Sequence, residues 1–186
     1  ALRVNYVGEL GWELHHPISQ MEPLYDSIYE AGKKEKIINF GTYAVNSLRM
    51  EKAYRGWGSE LTGEISLVEA GMDRFFNLKK KNNFFGAKAL QDKIQFGVDI
   101  KIVYLELDVD NADARGNEPV YHNNKIVGVV TSGGYGFRTK KSLAFAYVKS
   151  DLANGGNLEI KIQGQKRKAK ILDKVVYDPD NYKLRA

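Results

Sequence analysis

From Arg3 to Leu14 the chain reads Arg3-Val4-Asn5-Tyr6-Val7-Gly8-Glu9-Leu10-Gly11-Trp12-Glu13-Leu14, which puts two carboxylates, a tyrosine and two glycines within eight residues. Glycine lets a backbone approach a ligand closely. A carboxylate presents two acceptor oxygens in one plane. That is the complement of an edge with two parallel N–H donors, such as the 2-amino-4-oxo edge of a pterin. If residues 11–15 are extended, Glu13 shares a face with Gly11 and His15, and Trp12 and Leu14 take the other. Trp12 would then be buried and Glu13 would face a cleft. The competing reading makes Glu9 and Glu13 surface charges on a hairpin. Spacing alone favours it, because glutamate on one strand face is common.

Other chemistries have less to stand on. There are no cysteines, which excludes disulfides, thiolate catalysis and thiolate metal sites. Of the three histidines, His15 and His16 are neighbours that an extended backbone points apart, so no metal site is expected. Thr131-Ser132-Gly133-Gly134-Tyr135-Gly136-Phe137 is glycine-rich but lacks the strand–loop–helix context and Gly-Lys ending of a phosphate loop, and is expected to be a turn between strands. Arg138, Lys140 and Lys141 follow it, but no basic–aromatic groove is sustained, so nucleic acid is not an expected partner. The net charge of +5 is scattered. Its short clusters, Lys79-Lys80-Lys81 and Gln165-Lys166-Arg167-Lys168, read as solvated turns or strand edges, with attraction of a polyanionic ligand tail as the alternative. No apolar run is long enough to cross a bilayer, and no membrane partner is expected. The opening Ala1-Leu2-Arg3 starts in mid-pattern without a signal peptide, so the chain reads as a piece of a longer protein.

The elements that must position these residues fall into two parts. Residues 2–7 and 11–15 read as a hairpin with glycines in its turn. A helix follows, with Ser19 and Glu22 at capping-box spacing and Met21, Leu24, Tyr25, Ile28 and Tyr29 on one apolar face; Gly32 and the lysines after it end the helix. A second helix runs from an N-cap at Thr42 to about Lys52. Residues 61–70 read as loop with a short helix, Met72 to Leu78 as a strand, and Gly86 to Gln95 as a helix with Ala87, Leu90 and Ile94 inward. From Gly97 the texture changes to short strands at 101–107, 119–122, 125–132, 143–148, 158–163 and 166–172, with Asn123-Asn124, Gln163-Gly164 and Asn154–Asn157 as turns. Evenly spaced strands with such turns indicate a small β-barrel. The chain thus divides into an α+β part, residues 1–96, and a β part, residues 97–186.

The first segment resembles the Arg-x-x-Tyr-x-Gly-Glu-x-Gly-x-Glu signature of the glycine-cleavage T-protein (aminomethyltransferase) superfamily. The resemblance continues at Asn46-Ser47-Leu48-Arg49-Met50-Glu51-Lys52, Val68-Glu69-Ala70-Gly71 and Phe84-Phe85-Gly86-Ala87-Lys88-Ala89-Leu90. It runs on through Val127–Gly133 and Ser142–Val148 to Tyr177-Asp178-Pro179-Asp180-Asn181-Tyr182, so nearly the whole chain is matched in order. Where the stand-alone T-protein usually reads Ala-Arg-Asp-Ser-Leu-Arg, this chain reads Ala44-Val45-Asn46-Ser47-Leu48-Arg49, and no ligand role is carried over to position 45. Leu48-Arg49-Met50-Glu51-Lys52-Ala53-Tyr54-Arg55-Gly56-Trp57-Gly58 is instead similar to the C-terminal region of dimethylglycine and sarcosine dehydrogenases, flavoproteins with a T-protein-like domain attached.

The resemblance implies an incomplete T-protein-like folate-binding domain followed by a small antiparallel β-barrel. It implies tetrahydrofolate as the cofactor, with Glu13 on the pterin edge, Tyr6 beside the ligand and Tyr182 reaching back to it; flat aromatic rings suit a pterin. Arg49 and Arg55 could meet a ligand carboxylate bidentately, or could be structural partners of Glu51 or Glu60, as helix-borne arginines more often are. The implied reaction is one-carbon transfer from an N-methyl or aminomethyl donor to tetrahydrofolate. Its acid–base aspartate and any FAD belong to upstream segments, so no catalytic residue is expected here and the chain alone is expected to be inactive. Three readings stay open. The first is a dimethylglycine/sarcosine dehydrogenase-like enzyme acting on a small amine. The second is a genuine aminomethyltransferase served by a lipoyl carrier protein. The third is a non-catalytic folate-binding regulator. The expected location is cytoplasmic, or the mitochondrial matrix in a eukaryote.

Overall fold

The computed structural model describes residues 1–80 and 84–186; Lys81 of the first lysine cluster lies outside them. Six antiparallel strands close a barrel: β1 (Ile100–Leu107), β2 (Pro119–His122), β3 (Lys125–Gly136), β4 (Lys141–Lys149), β5 (Leu158–Ile162) and β6 (Gln165–Ile171), in the spatial order β1-β4-β3-β2-β5-β6. Closure removes free strand edges. Two of the hairpins follow from their turn residues. Asn123 and Asn124 both have positive φ (49° and 62°), as do Gln163 and Gly164 (47° and 83°), the backbone that a tight two-residue hairpin requires.

The barrel has two cores, and the strand sequences account for both. Val103, Leu105, Ala144, Ala146, Val148 and Ile160 point into the barrel, where small residues suit the narrow interior of six strands. Tyr104, Leu143 and Phe145 alternate with them and point outward, yet they are also buried. They lie under Met50 and Ala53, at the end of a helix that covers this side of the barrel. This is why β4 carries a near-continuous apolar run instead of alternating: it is covered on both faces.

That covering helix is α2 (Thr42–Glu51), with Gly41 rather than Thr42 at its N-cap. The others are α1 (Met21–Gly32), α3 (Ala87–Phe96) and α4 (Tyr182–Arg185). Several local expectations are corrected. A 3₁₀ turn, Ile18–Gln20, runs directly into α1, so Gln20 is the N-cap and no capping-box hydrogen bond forms. Residues 61–70 form turns without a short helix. The stretch expected as a strand at 72–78 holds the 3₁₀ turn Asp73–Phe75. Its apolar residues do not alternate, and the closed barrel offers it no edge. In α3, Ala87 is buried but Ile94 is exposed. The glycine-rich run 131–136 is not a turn but the second half of β3, paired with β4 as far as Gly136↔Lys141. Its glycines answer to close approach: a Cβ on Gly133 would lie 2.4 Å from the Ala114 carbonyl oxygen.

The expected N-terminal hairpin is reduced to one antiparallel bridge, Leu2↔Glu13, with both N–H···O bonds at 2.9 Å. No residue of α1 is buried among the described residues, and Leu2, Val4, Trp12, Leu14, Met21, Tyr25 and Ile28 are exposed. The predicted apolar face of α1 therefore exists without a cover among the described residues. The second basic cluster lies on β6 as a surface strand, with Lys166 over the Tyr121 ring at 4.3 Å and 3.6 Å from Glu159.

Candidate functional site

A cleft of about 490 Å³ opens where the N-terminal segment, the chain after α2 and the C-terminal tail meet. Its walls include Tyr6, Tyr54, Arg55, Gly71, Arg74 and Asn181. A neighbouring hollow of about 440 Å³, bounded by Arg3, Gly11 and Arg185, shares Asn5, Tyr54 and Leu184 with it. Together the two hollows are lined by Arg3, Val4, Asn5, Tyr6 and Gly11 of the signature segment. A wider polar groove of about 930 Å³ crosses the barrel at Asn123, Asn154 and Lys168, but no aromatic residue and no signature residue lines it.

The aromatic floor is built in two steps. Asn5 folds the chain by accepting hydrogen bonds from the Val7 and Gly8 amides at 3.1 and 2.8 Å. Tyr6 then stacks on Tyr54, with ring centroids 5.9 Å apart and planes 15° apart, and donates its hydroxyl to the Arg55 carbonyl at 2.6 Å. Burial pushes the Tyr6 hydroxyl up from its ordinary range, so it is a donor at neutral pH. Glu13, expected to face a cleft, lines neither hollow: its side chain is 56% exposed, and its carboxylate is 3.6 Å from His15 Nε2. Tyr182 opens α4, next to Asn181 and near Leu184 of the cleft wall, but its own ring stands 76% exposed. The tail that carries it is tied down by the buried Lys52, whose ammonium lies 3.3 Å from Asp178 Oδ2 and also reaches the Asp178 carbonyl. Asp178 in turn accepts the Tyr182 and Lys183 amides at 2.8 and 3.1 Å.

Arg49 takes the structural alternative. It is 5% exposed, and its guanidinium donates four hydrogen bonds within the chain. Nε and Nη2 donate to Asn46 Oδ1 at 3.0 and 2.8 Å, and Nη1 donates to the Tyr54 carbonyl and to Glu60 Oε2 at 3.1 and 3.2 Å. Asn46 also donates to the Gly133 carbonyl at 3.2 Å, a donor that a carboxylate at this position would lack. Arg49 thus supports Tyr54 from below and does not face the cleft.

Two clusters extend beyond the Arg49–Glu60 pairing that the sequence suggested. Glu60 is 0% exposed and accepts from Arg49, the Gly56 amide, Ser59, Thr131 and Ser132, fastening the loop after α2 to β3. Arg138 bonds Glu51 at 2.7 Å and Glu9 at 2.5 Å and lies 3.5 Å over the Tyr177 ring, while the Tyr177 hydroxyl also donates to Glu9. Glu9 therefore joins the signature segment to the barrel and the tail. No spacing in the sequence signals that role.

Burial alone would raise the Glu60 carboxyl, but hydrogen bonds from Ser132, Thr131 and Gly56, with the Arg49 charge, hold it below the usual carboxylate range. A folded-state pKa below the unfolded value of about 4.3 contributes stability that is complete above that pH and lost as pH falls through the lower folded value. The urea midpoint should stay level from neutral pH to about 5 and drop below it. Glu60→Gln should flatten that acid limb; an unchanged limb in the variant would remove Glu60 as its source.

The GCVT N-terminal domain model matches residues 1–80, and the glycine cleavage T-protein C-terminal barrel domain model matches residues 101–178. The mitochondrial dimethylglycine dehydrogenase of Homo sapiens is 42% identical over 187 residues, covering 99% of this chain and 22% of the human protein. Mitochondrial sarcosine dehydrogenase of Homo sapiens is 32% identical over 193 residues, covering 100% of this chain and 21% of its own length. An aminomethyltransferase of Desulfitobacterium hafniense is 32% identical over 176 residues, covering 94% of this chain and 48% of its own. The crystal structure of glycine cleavage system aminomethyltransferase T from Bartonella henselae superimposes with a TM-score of 0.85 at 25% identity, over 95% of this chain and 49% of that one. The chain thus spans about a fifth of the dehydrogenases and about half of the aminomethyltransferases it matches.

Proposed function

The chain belongs to the glycine cleavage T-protein family, and from that premise we propose that it is the tetrahydrofolate-holding C-terminal part of an enzyme that passes a one-carbon unit to tetrahydrofolate, of the dimethylglycine/sarcosine dehydrogenase type. The observation that carries this reading is the cleft itself. It has a stacked Tyr6–Tyr54 floor and charged wall residues that are all cations, and the signature segment that lines it carries the exposed Glu13 carboxylate a few residues further on. A flat heteroaromatic with two adjacent N–H donors and an anionic tail fits that combination.

In this proposal Glu13 holds the pterin edge, Tyr6 contacts the ring beside it and Tyr182 closes over the ligand from the C-terminal tail. Arg49 enters as the support of Tyr54 rather than as a ligand group. The chain's share of the chemistry is to orient the folate and exclude water, so that the reactive carbon meets the folate nitrogen rather than solvent. A flavin bound elsewhere in the enzyme would supply the two-electron oxidation of the methylamine. Valine at position 45 and the Tyr54–Gly58 segment favour the dehydrogenase reading over a stand-alone aminomethyltransferase with a lipoyl carrier partner. The higher identity to dimethylglycine dehydrogenase favours it too.

A product assay on the full-length protein tests this. With N,N-dimethylglycine and tetrahydrofolate it should form 5,10-methylenetetrahydrofolate, and without tetrahydrofolate it should release formaldehyde. A formaldehyde yield that tetrahydrofolate leaves unchanged would contradict the proposal. Ammonia release from an aminomethylated lipoyl carrier would select the second reading.

A further inference from the structure

We propose that Arg55 and Arg74 form a subsite, in the cleft described above, for the carboxylates of the folate's glutamyl tail. The inference rests on the folate reading. The cleft wall contains three cationic residues, Lys52, Arg55 and Arg74, and no aspartate or glutamate. Lys52 is already paired with Asp178. The other two have no carboxylate partner among the described residues. Arg55 donates Nη1 to the Ala53 carbonyl at 2.8 Å and Nε to the Ala70 carbonyl at 3.3 Å, and its Cζ lies 5.3 Å from the Phe145 ring centroid. These contacts fix the plane of the guanidinium but do not neutralise it. They leave Nη2, for which the described residues offer no acceptor. Since no buried nitrogen is left unpartnered, Nη2 reaches solvent, and Arg55 lines the cleft. Arg74 is exposed, with Cζ 4.8 Å from the Phe75 ring centroid.

Burial works against the Arg55 charge and the Arg74 guanidinium repels it, and the nearby Glu60 carboxylate offsets these only in part. A bound anion would reverse both penalties. A carboxylate matches a guanidinium edge bidentately, and a glutamyl tail brings two carboxylates to two arginines. Tyr6 and Tyr54 lie in the same wall, so the ring-binding floor and the cationic pair are parts of one cleft. Arg49, the other arginine of the segment, has no free donor edge for this task.

The test compares two ligands on the full-length protein by calorimetry: 5-formyltetrahydrofolate, and 5-formyltetrahydropteroate, which keeps the benzoate carboxylate but lacks the glutamate and its two carboxylates. The wild type should prefer the glutamylated ligand by about tenfold or more, as charge-assisted pairs imply. In Arg74→Gln the preference should fall below about threefold while pteroate affinity is unchanged. Arg55→Lys, which keeps the charge but loses the fork, should also reduce it. Equal binding of the two ligands by the wild type overturns the subsite and leaves the folate reading standing. Binding of neither overturns both. A preference that persists in Arg74→Gln, or an equal loss of both ligands, also counts against the subsite. A raised KM for N,N-dimethylglycine with the preference intact would reassign the arginines to the carboxylate of the amine.

Discussion

Glu60→Ala should lower the free energy of unfolding by about 3–5 kcal/mol, the range for removing one partner of a buried ion pair. Glu60 is 0% exposed, and its carboxylate serves five donors: Arg49 Nη1 at 3.2 Å, the Gly56 amide at 2.6 Å, Ser59 Oγ at 3.0 Å, Thr131 Oγ1 at 2.5 Å and Ser132 Oγ at 2.6 Å. Alanine would leave the Arg49 charge and several hydrogen-bond donors without a partner in a region closed to water. The loss is set by those orphaned groups rather than by the net worth of the pair. The exposed pair Lys33–Glu30 on α1 and the turn after it is the internal control: Glu30→Ala should change stability by less than about 0.5 kcal/mol. Urea unfolding followed by both circular dichroism and tryptophan fluorescence measures the two. A Glu60→Ala loss under about 1 kcal/mol would mean that water reaches this carboxylate in solution.

The consequence reaches the cleft through a short chain of contacts. Arg49 and Glu60 fix the backbone from Tyr54 to Gly56, and the Arg55 carbonyl within that stretch receives the Tyr6 hydroxyl. The aromatic floor is therefore held by two charges that never touch the cleft.

How legible all this is from sequence depends on the range over which each determinant acts. The six barrel strands can be read to within a few residues because their signals are local: short apolar runs bounded by turn pairs such as Asn123-Asn124 and Gln163-Gly164. Glycine misleads where its two uses look alike. The run at Gly133-Gly134 reads as a turn, but there the absence of Cβ serves close approach inside β3. The N-terminal hairpin pattern is real but yields a single bridge, since a cover for its apolar side chains is absent among the described residues. In the candidate site, Glu13, Tyr6 and Tyr182 are named by family resemblance alone. The structural role of Arg49 follows from its place on a helix near Glu51 and Glu60. The Glu9–Arg138–Tyr177 cluster joins residues 129 and 168 positions apart, and no local pattern encodes such a pairing.

Glu13 carries the central claim, and its substitution has the second large expected effect. Among the described residues its side chain makes one polar contact, to His15 at 3.6 Å with both partners exposed, so the fold does not depend on it. Glu13→Gln keeps the shape and removes one acceptor oxygen and the charge. A carboxylate gripping two N–H donors of a pterin should lose about 1.5–3 kcal/mol of binding, roughly 10- to 150-fold in affinity, with no change in thermal stability. If Glu13 were merely a surface charge, the substitution would change neither. Titration of 5-formyltetrahydrofolate into the full-length protein and its Glu13→Gln variant is the most direct measurement. The account predicts a dissociation constant raised at least about tenfold in a variant that melts at the wild-type temperature. Equal dissociation constants would contradict it.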